Sequence, residues 1–216
     1  MAAVLRRHPI GSPGNFLEPF GLGFESAATM TDFKVHDLTT APAPSRPYLE
    51  GAKQAFGRIP NLLAVMAEAP AALESYMALA EAVGKSSFTP AERHVAWFAV
   101  NQANGCTYCM AAHTAIAKGE KIADRVITAA RDGTPQAEPR LLALHAFTTA
   151  VVEHRGLVPP AALDEFRAAG FTDQNVLEVV TVVAMKTLSN YVNHIAKTPL
   201  DTAFQPFAWE PSAASR

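Results

Sequence analysis

The chain has 216 residues, 49% of them hydrophobic and 18% charged, with a formal net charge of −2. That length allows one domain with a sizeable core, and no Lys/Arg cluster stands out, so nucleic acid is not an expected partner. The richest apolar stretch, 176–183, is broken by Glu178 and Thr181 and followed by Lys186, so no membrane span is expected either. Two cysteines cannot make a disulfide framework, and their usage fits a reducing, cytoplasmic compartment.

Residues 1–29 hold four Gly, three Pro and only four charges. Arg6-Arg7 is followed by His8-Pro9 rather than an apolar secretion segment. The stretch is read as a disordered leader or an over-extended gene start, since Met30-Thr31-Asp32-Phe33-Lys34 would make an ordinary beginning. One domain then spans 30–216, with a C-terminal tail from about 199. Helices are expected over 47–56, 60–66 and 70–83, several opening on proline where a first turn tolerates it. Thr89-Pro90-Ala91-Glu92 carries a capping-box signature and starts a helix running to about Gln102. Asn104-Gly105 breaks it, and a second helix runs from Cys106 to Lys118. Further helices fit 122–130, 139–153, 160–169 and 172–197. No hairpin dipeptide and no glycine-rich phosphate loop interrupts the pattern, so the fold class is all-α. A shift of 83 residues lays Thr89 on Thr172 and Tyr108 on Tyr191, a possible internal repeat of helical hairpins.

The chemistry-bearing stretch is Asn104-Gly105-Cys106-Thr107-Tyr108-Cys109-Met110-Ala111-Ala112-His113. It holds both cysteines, as C-x-x-C, with His113 four residues after the second. Positions three and four apart share a helix face, so Cys106, Cys109 and His113 form one stripe. Either thiol could attack a peroxide, and the other could resolve the resulting sulfenic acid into a disulfide. Cys106, at a helix N-terminus, is the thiol that the helix dipole would acidify. Three other arrangements compete. A thioredoxin-type motif would need a preceding strand, haem attachment would need His in place of Met110, and zinc would need a fourth ligand. Two buried thiols acting as small apolar residues are the plain alternative.

The pattern T-P-A-E-R…N-G-C-T-Y-C-M-A-A-H-T resembles the core motif of the alkyl hydroperoxidase D-like (AhpD-like) branch of the carboxymuconolactone decarboxylase superfamily. Ile59-Pro60-Asn61-Leu62-Leu63 and Ser189-Asn190-Tyr191-Val192-Asn193-His194 resemble its peroxidase-related members, and the likeness covers about Thr31 to Trp209. The resemblance implies a thiol-dependent peroxidase in which Cys109 attacks the hydroperoxide, Cys106 resolves, and His113 helps deprotonate through water. It implies an external thiol or dithiol reductant, no metal or organic cofactor, and a homo-oligomer, a trimer or a multiple of one. The peroxidase pattern carries a relay glutamate twelve residues before the first cysteine. Here His94 stands at that place, and Glu92 is the nearest carboxylate. Glu92 is read as cap or relay, and His94 as relay or core. Tyr108 is read mainly as a packing residue, and Asn193 and His194 as a polar cluster or subunit contact. A decarboxylase or other lyase on the same scaffold, and a non-enzymatic redox sensor, remain the rival functions.

Overall fold

The computed structural model describes residues 33–211, and the leader expected over 1–29 lies outside them. Among the described residues there are nine α-helices and no strand: α1 (Arg46–Phe56), α2 (Asn61–Met66), α3 (Pro70–Gly84), α4 (Pro90–Ala103), α5 (Thr107–Gly119), α6 (Asp124–Asp132), α7 (Pro139–Glu153), α8 (Pro160–Ala168) and α9 (Asp173–Ala196). Short 3-10 turns lie at Ala43–Ser45 and Thr202–Phe207.

Local chemistry sets the boundaries. At the start of α4, Glu92 N donates to Thr89 Oγ1 (3.3 Å) and Thr89 N donates to Glu92 Oε2 (2.8 Å), completing the capping box. Thr172 and Asn175 repeat the device at α9. Each such cap stabilises its helix by about 1 kcal/mol. Between α4 and α5 the chain turns at Gly105, whose φ of 62° suits glycine best. The turn lets Cys106 N donate to Asn101 O (2.9 Å) and makes Cys106 the N-cap of α5. The helix expected from Ile122 begins two residues later. Lys121 adopts φ 58° and Ile122 N closes onto Ala117 O, so Ile122 is spent in the turn.

The two capped helix starts, 83 residues apart, agree with the repeat, but the second copy is not a hairpin. α9 runs unbroken through 24 residues. Leu188 occupies the place of Gly105, and a leucine does not readily take the left-handed turn that separates α4 from α5.

α4 and α9 cross the middle of the molecule. On one side they meet α7 and α8 in a core where Phe166 stacks between Phe147 and Phe171, at ring centroid distances of 4.3 and 4.2 Å. Truncating such a buried phenylalanine to alanine costs about 3–5 kcal/mol. On the other side α1, α2 and α3 pack with α5 around Leu49, Leu63, Leu73 and Tyr108. The segment after Pro199, expected as a tail, is packed down. Phe204 lies edge-on to Tyr108 at 6.0 Å, and Trp209 Nε1 donates to Arg131 O at 2.7 Å. The cysteines sit where α5, α9 and this segment converge.

Candidate active site

Helix α5 presents Cys106 at its N-cap, Cys109 in its first turn and His113 one turn on, and all three are buried. Both thiols are free. The expected stripe therefore exists. Of the wall facing it, sequence reasoning anticipated only Asn193, as part of a polar cluster. α9 turns Lys186, Ser189, Asn190 and Asn193 inward, on the same buried face as Val179 and Val182. Lys186 has no exposure at all. The signal was present: a lysine inside a long, valine-rich helix, at a position whose spacing from Val179 and Val182 puts it on the core side.

The groups around sulfur are polar and directed. Asn193 Nδ2 donates to Cys109 Sγ at 3.2 Å and lies 3.9 Å from Cys106 Sγ. Ser189 Oγ lies 3.8 Å from Cys109 Sγ. Burial alone pushes the Cys109 thiol up. The hydrogen bond from the Cys106 thiol, the Lys186 ammonium and contacts to Ser189 and Asn190 outweigh it, and Cys109 is held well below the ordinary thiol range. Cys106 moves the other way: donating its hydrogen to Cys109 raises it first, and burial adds to that. The two shifts run in opposite directions, so the Cys106 thiol is the donor and Cys109 the sulfur on which negative charge is favoured. The dipole argument that favours Cys106 is overridden: Lys186 lowers both thiols, but the hydrogen bond between them lowers Cys109 and raises Cys106.

Lys186 Nζ donates to His113 Nε2 at 2.8 Å. Burial, with help from the Lys186 charge and from His94, keeps His113 neutral, far below the usual histidine range. The nitrogen a general base would use is therefore already accepting from lysine. His94 is fully buried, its ring 6.4 Å from that of His113, and its Nε2 is 3.2 Å from Glu120 Oε2 near the surface. Burial lowers His94 even though Glu120 opposes the effect. Trp97 stands beside His113 at 4.7 Å between ring centroids. Glu92 has both oxygens engaged, one by Thr89 N and the other by Arg140 Nε at 2.6 Å. Tyr108 does more than pack: its hydroxyl donates to Asp201 Oδ2 (2.6 Å) and accepts from Leu62 N (3.2 Å). His194 is exposed beside Asn193.

Cys109, His113 and Lys186 reach the wall of a cavity of about 310 Å³, whose other walls include Leu62, Leu63, Met77, Trp97 and Phe204. It is a largely apolar chamber with a few polar side chains in its lining, Arg58 and Tyr76 among them, as small-molecule sites commonly have. Among the described residues no three His, Cys, Asp or Glu side chains gather as a metal site. The place of a fourth zinc ligand beside the two sulfurs and His113 is taken by a lysine, whose charge would repel a cation.

Comparison with known proteins agrees with this arrangement. Residues 70–140 match the sequence model of the carboxymuconolactone decarboxylase family. No curated protein sequence matches. A solved structure described as an alkylhydroperoxidase AhpD core, an uncharacterized peroxidase-related protein from Ralstonia eutropha JMP134, superposes with a TM-score of 0.70 at 26% identity, over 82% of this chain and 96% of its own. An uncharacterized peroxidase-related protein from Silicibacter sp. TM1040 gives 0.69 at 20% identity, over 84% and 97%. The debrominase Bmp8, solved in complex with 2,3,4-tribromopyrrole, shares the fold at 0.67 and 18% identity, over 84% and 96%. Fold and site together define an all-helical dithiol protein. The match over residues 70–140 and the two peroxidase-related superpositions support an AhpD-like branch of the carboxymuconolactone decarboxylase superfamily.

Proposed function

We propose that the protein is a thiol-dependent peroxidase for apolar organic hydroperoxides, working as a soluble cytoplasmic homo-oligomer. The observation that carries this reading is a thiolate-stabilised Cys109 at the wall of an apolar cavity, backed by a second thiol that donates its hydrogen to Cys109. The Cys109 thiolate attacks the terminal oxygen of ROOH, and the O–O bond breaks to give Cys109 sulfenic acid and RO⁻. The Lys186 ammonium gives RO⁻ its proton, releasing ROH. The Cys106 thiol then condenses with the sulfenic acid, forming the Cys106–Cys109 disulfide and water. Two electrons from an external thiol or dithiol reductant restore thiol and thiolate, and the proton set free recharges Lys186. His113 positions Lys186 and keeps its charge aimed at sulfur. His94 and Glu120 continue the polar line outward from His113, while Glu92 serves the helix cap. No helix of the described residues is long and apolar enough to cross a membrane. Self-association is supported by an exposed apolar row on α9, Leu177, Val180, Tyr191 and Ile195.

The test is a thiol count before and after one equivalent of cumene hydroperoxide, with peptide mapping. Loss of two thiols, a Cys106–Cys109 link, catalytic turnover when dithiothreitol is supplied, and abolition by Cys109→Ser are expected. Thiols untouched by peroxide would refute the proposal. Oxidation without turnover would make the protein a sensor. A lyase activity that survives Cys109→Ser would make the cysteines incidental. Debromination of tribromopyrrole in place of peroxide reduction would redirect the same dithiol to a halogenated ring.

A further inference from the structure

The cysteine pair has two pockets against it, and they differ in kind. Cys109 belongs to the apolar cavity. Cys106 belongs to a separate pocket of about 340 Å³, lined by Thr107, Tyr108, Asn193, His194, Lys197 and Thr198. Apart from the cysteine, each of these side chains carries a polar group. Two of them are buried and hold polar atoms without a protein partner: Asn193 Oδ1 and Thr198 Oγ1. Buried polar atoms are normally satisfied, and two residues that each hold an unsatisfied one line this pocket, which points to a ligand that brings its own donors and acceptors. Asn193 joins the two sides, since its Nδ2 reaches toward both sulfurs while its Oδ1 is left open.

We propose that this polar pocket is the docking site of the reducing thiol, so that oxidant and reductant reach opposite members of the cysteine pair by separate routes. The inference rests on the dithiol redox reading above. The expected ligand is a polar thiol with amide and carboxylate groups, such as a cysteine-containing peptide. Its amide N–H groups suit Asn193 Oδ1, and its carbonyls suit the Thr198 hydroxyl. Its thiolate attacks Cys106 Sγ of the disulfide; the S–S bond breaks, and Cys109 leaves as thiolate. Exchange is fastest when the departing sulfur has the lower proton affinity, and Cys109 Sγ is the one that Asn193 Nδ2 approaches more closely, at 3.2 Å against 3.9 Å. A second reductant thiolate then attacks the ligand's sulfur in the mixed disulfide. It releases Cys106, which takes up a proton, and an oxidised reductant disulfide. Cys106 has no exposure of its own, so a thiol has to occupy the pocket to reach it.

The test separates the half-reactions and uses the whole protein. The disulfide is formed with diamide, a non-peroxide oxidant, and its reduction by glutathione is followed by thiol regain and acid-quench peptide mapping. The trapped glutathione adduct is expected on Cys106. Thr107→Trp, a wedge at an exposed rim position, is expected to slow glutathione reduction at least tenfold. The rate of thiol loss to cumene hydroperoxide should stay within twofold. Thr198→Val is expected to raise the glutathione concentration needed for half-maximal rate severalfold, and it decides the matter should Thr107→Trp fail to fold. An adduct on Cys109, or a wedge that slows both half-reactions alike or neither, would overturn the two-route scheme. A protein inert to peroxide that still passes the reduction arm would sink the peroxidase proposal and leave this site standing. Failure of diamide to link the cysteines would remove both.

Discussion

Lys186→Met is the most informative single change. Methionine roughly keeps the length and volume of the side chain and removes only the charge. A nearby opposite charge typically lowers an ionisable group's proton affinity by a factor of about 10 to 1,000. Taking about 100 as the working value, the Cys109 thiolate population at neutral pH falls by up to that factor. The more basic thiolate is intrinsically a better nucleophile, with a Brønsted slope near 0.4–0.5, which returns roughly eightfold. The net expectation is a loss of about tenfold in the second-order rate constant with cumene hydroperoxide at pH 7. Recovery should follow as pH rises through the ordinary cysteine range. The wild type should stay flat over the same interval, because its Cys109 is already ionised there. The loss of the Lys186 proton donor would add to the deficit at every pH. Stability should fall, since the change removes one partner of a buried charge pair and leaves His113 Nε2 without its donor. The assay is stopped-flow loss of thiol between pH 5 and 10, with thermal melting alongside. A Lys186→Met protein that melts like wild type and keeps its rate and pH profile would refute the assignment of the thiolate to lysine.

Tyr108→Phe leaves Asp201 and Leu62 N without their shared partner, and a loss of about 1–3 kcal/mol in urea unfolding is expected. Burial lowers His94, His113 and His145, so these rings are neutral when folded and bind protons more readily when unfolded. Their contribution to stability is therefore full above about pH 6.5 and declines as pH falls; melting temperature should drop between pH 6.5 and 5. Gly105→Ala forces a Cβ into φ 62°, and a cost of about 1–2 kcal/mol in denaturant unfolding is expected. Ile195→Glu puts a charge on the apolar row of α9 and should shift a homo-oligomer to smaller species in light scattering, with peroxide-driven thiol loss retained.

Much of the fold was open to reading because its signals are local. The Thr89–Glu92 box, the proline-opened helices and the Asn104-Gly105 break act within four residues, and most helix boundaries fall within one or two residues of the expected ones. The site was half legible for the same reason. Cys106, Cys109 and His113 share a helix, so their spacing fixes their face. Lys186, Ser189 and Asn190 meet them from 73 to 81 residues away along the chain, and only packing brings α9 onto α5. The hairpin repeat erred by extending a good local match at the caps past Leu188, where the backbone requirement changes. Glu92, read as cap or relay, forms the cap with one oxygen and accepts from Arg140 with the other.

The stretch beyond Pro199 gives the Tyr108 clamp a further meaning. Asp201 and Phe204 brace the ring of Tyr108, whose place in the sequence is between the two cysteines, while Arg131 grips the carbonyls of Phe207 and Ala208. The far end of the polypeptide is therefore a splint on the redox turn. Clipping the protein back to residue 199 should loosen the thiols' geometry without touching either sulfur, so a protease acting there could disable the enzyme from a distance.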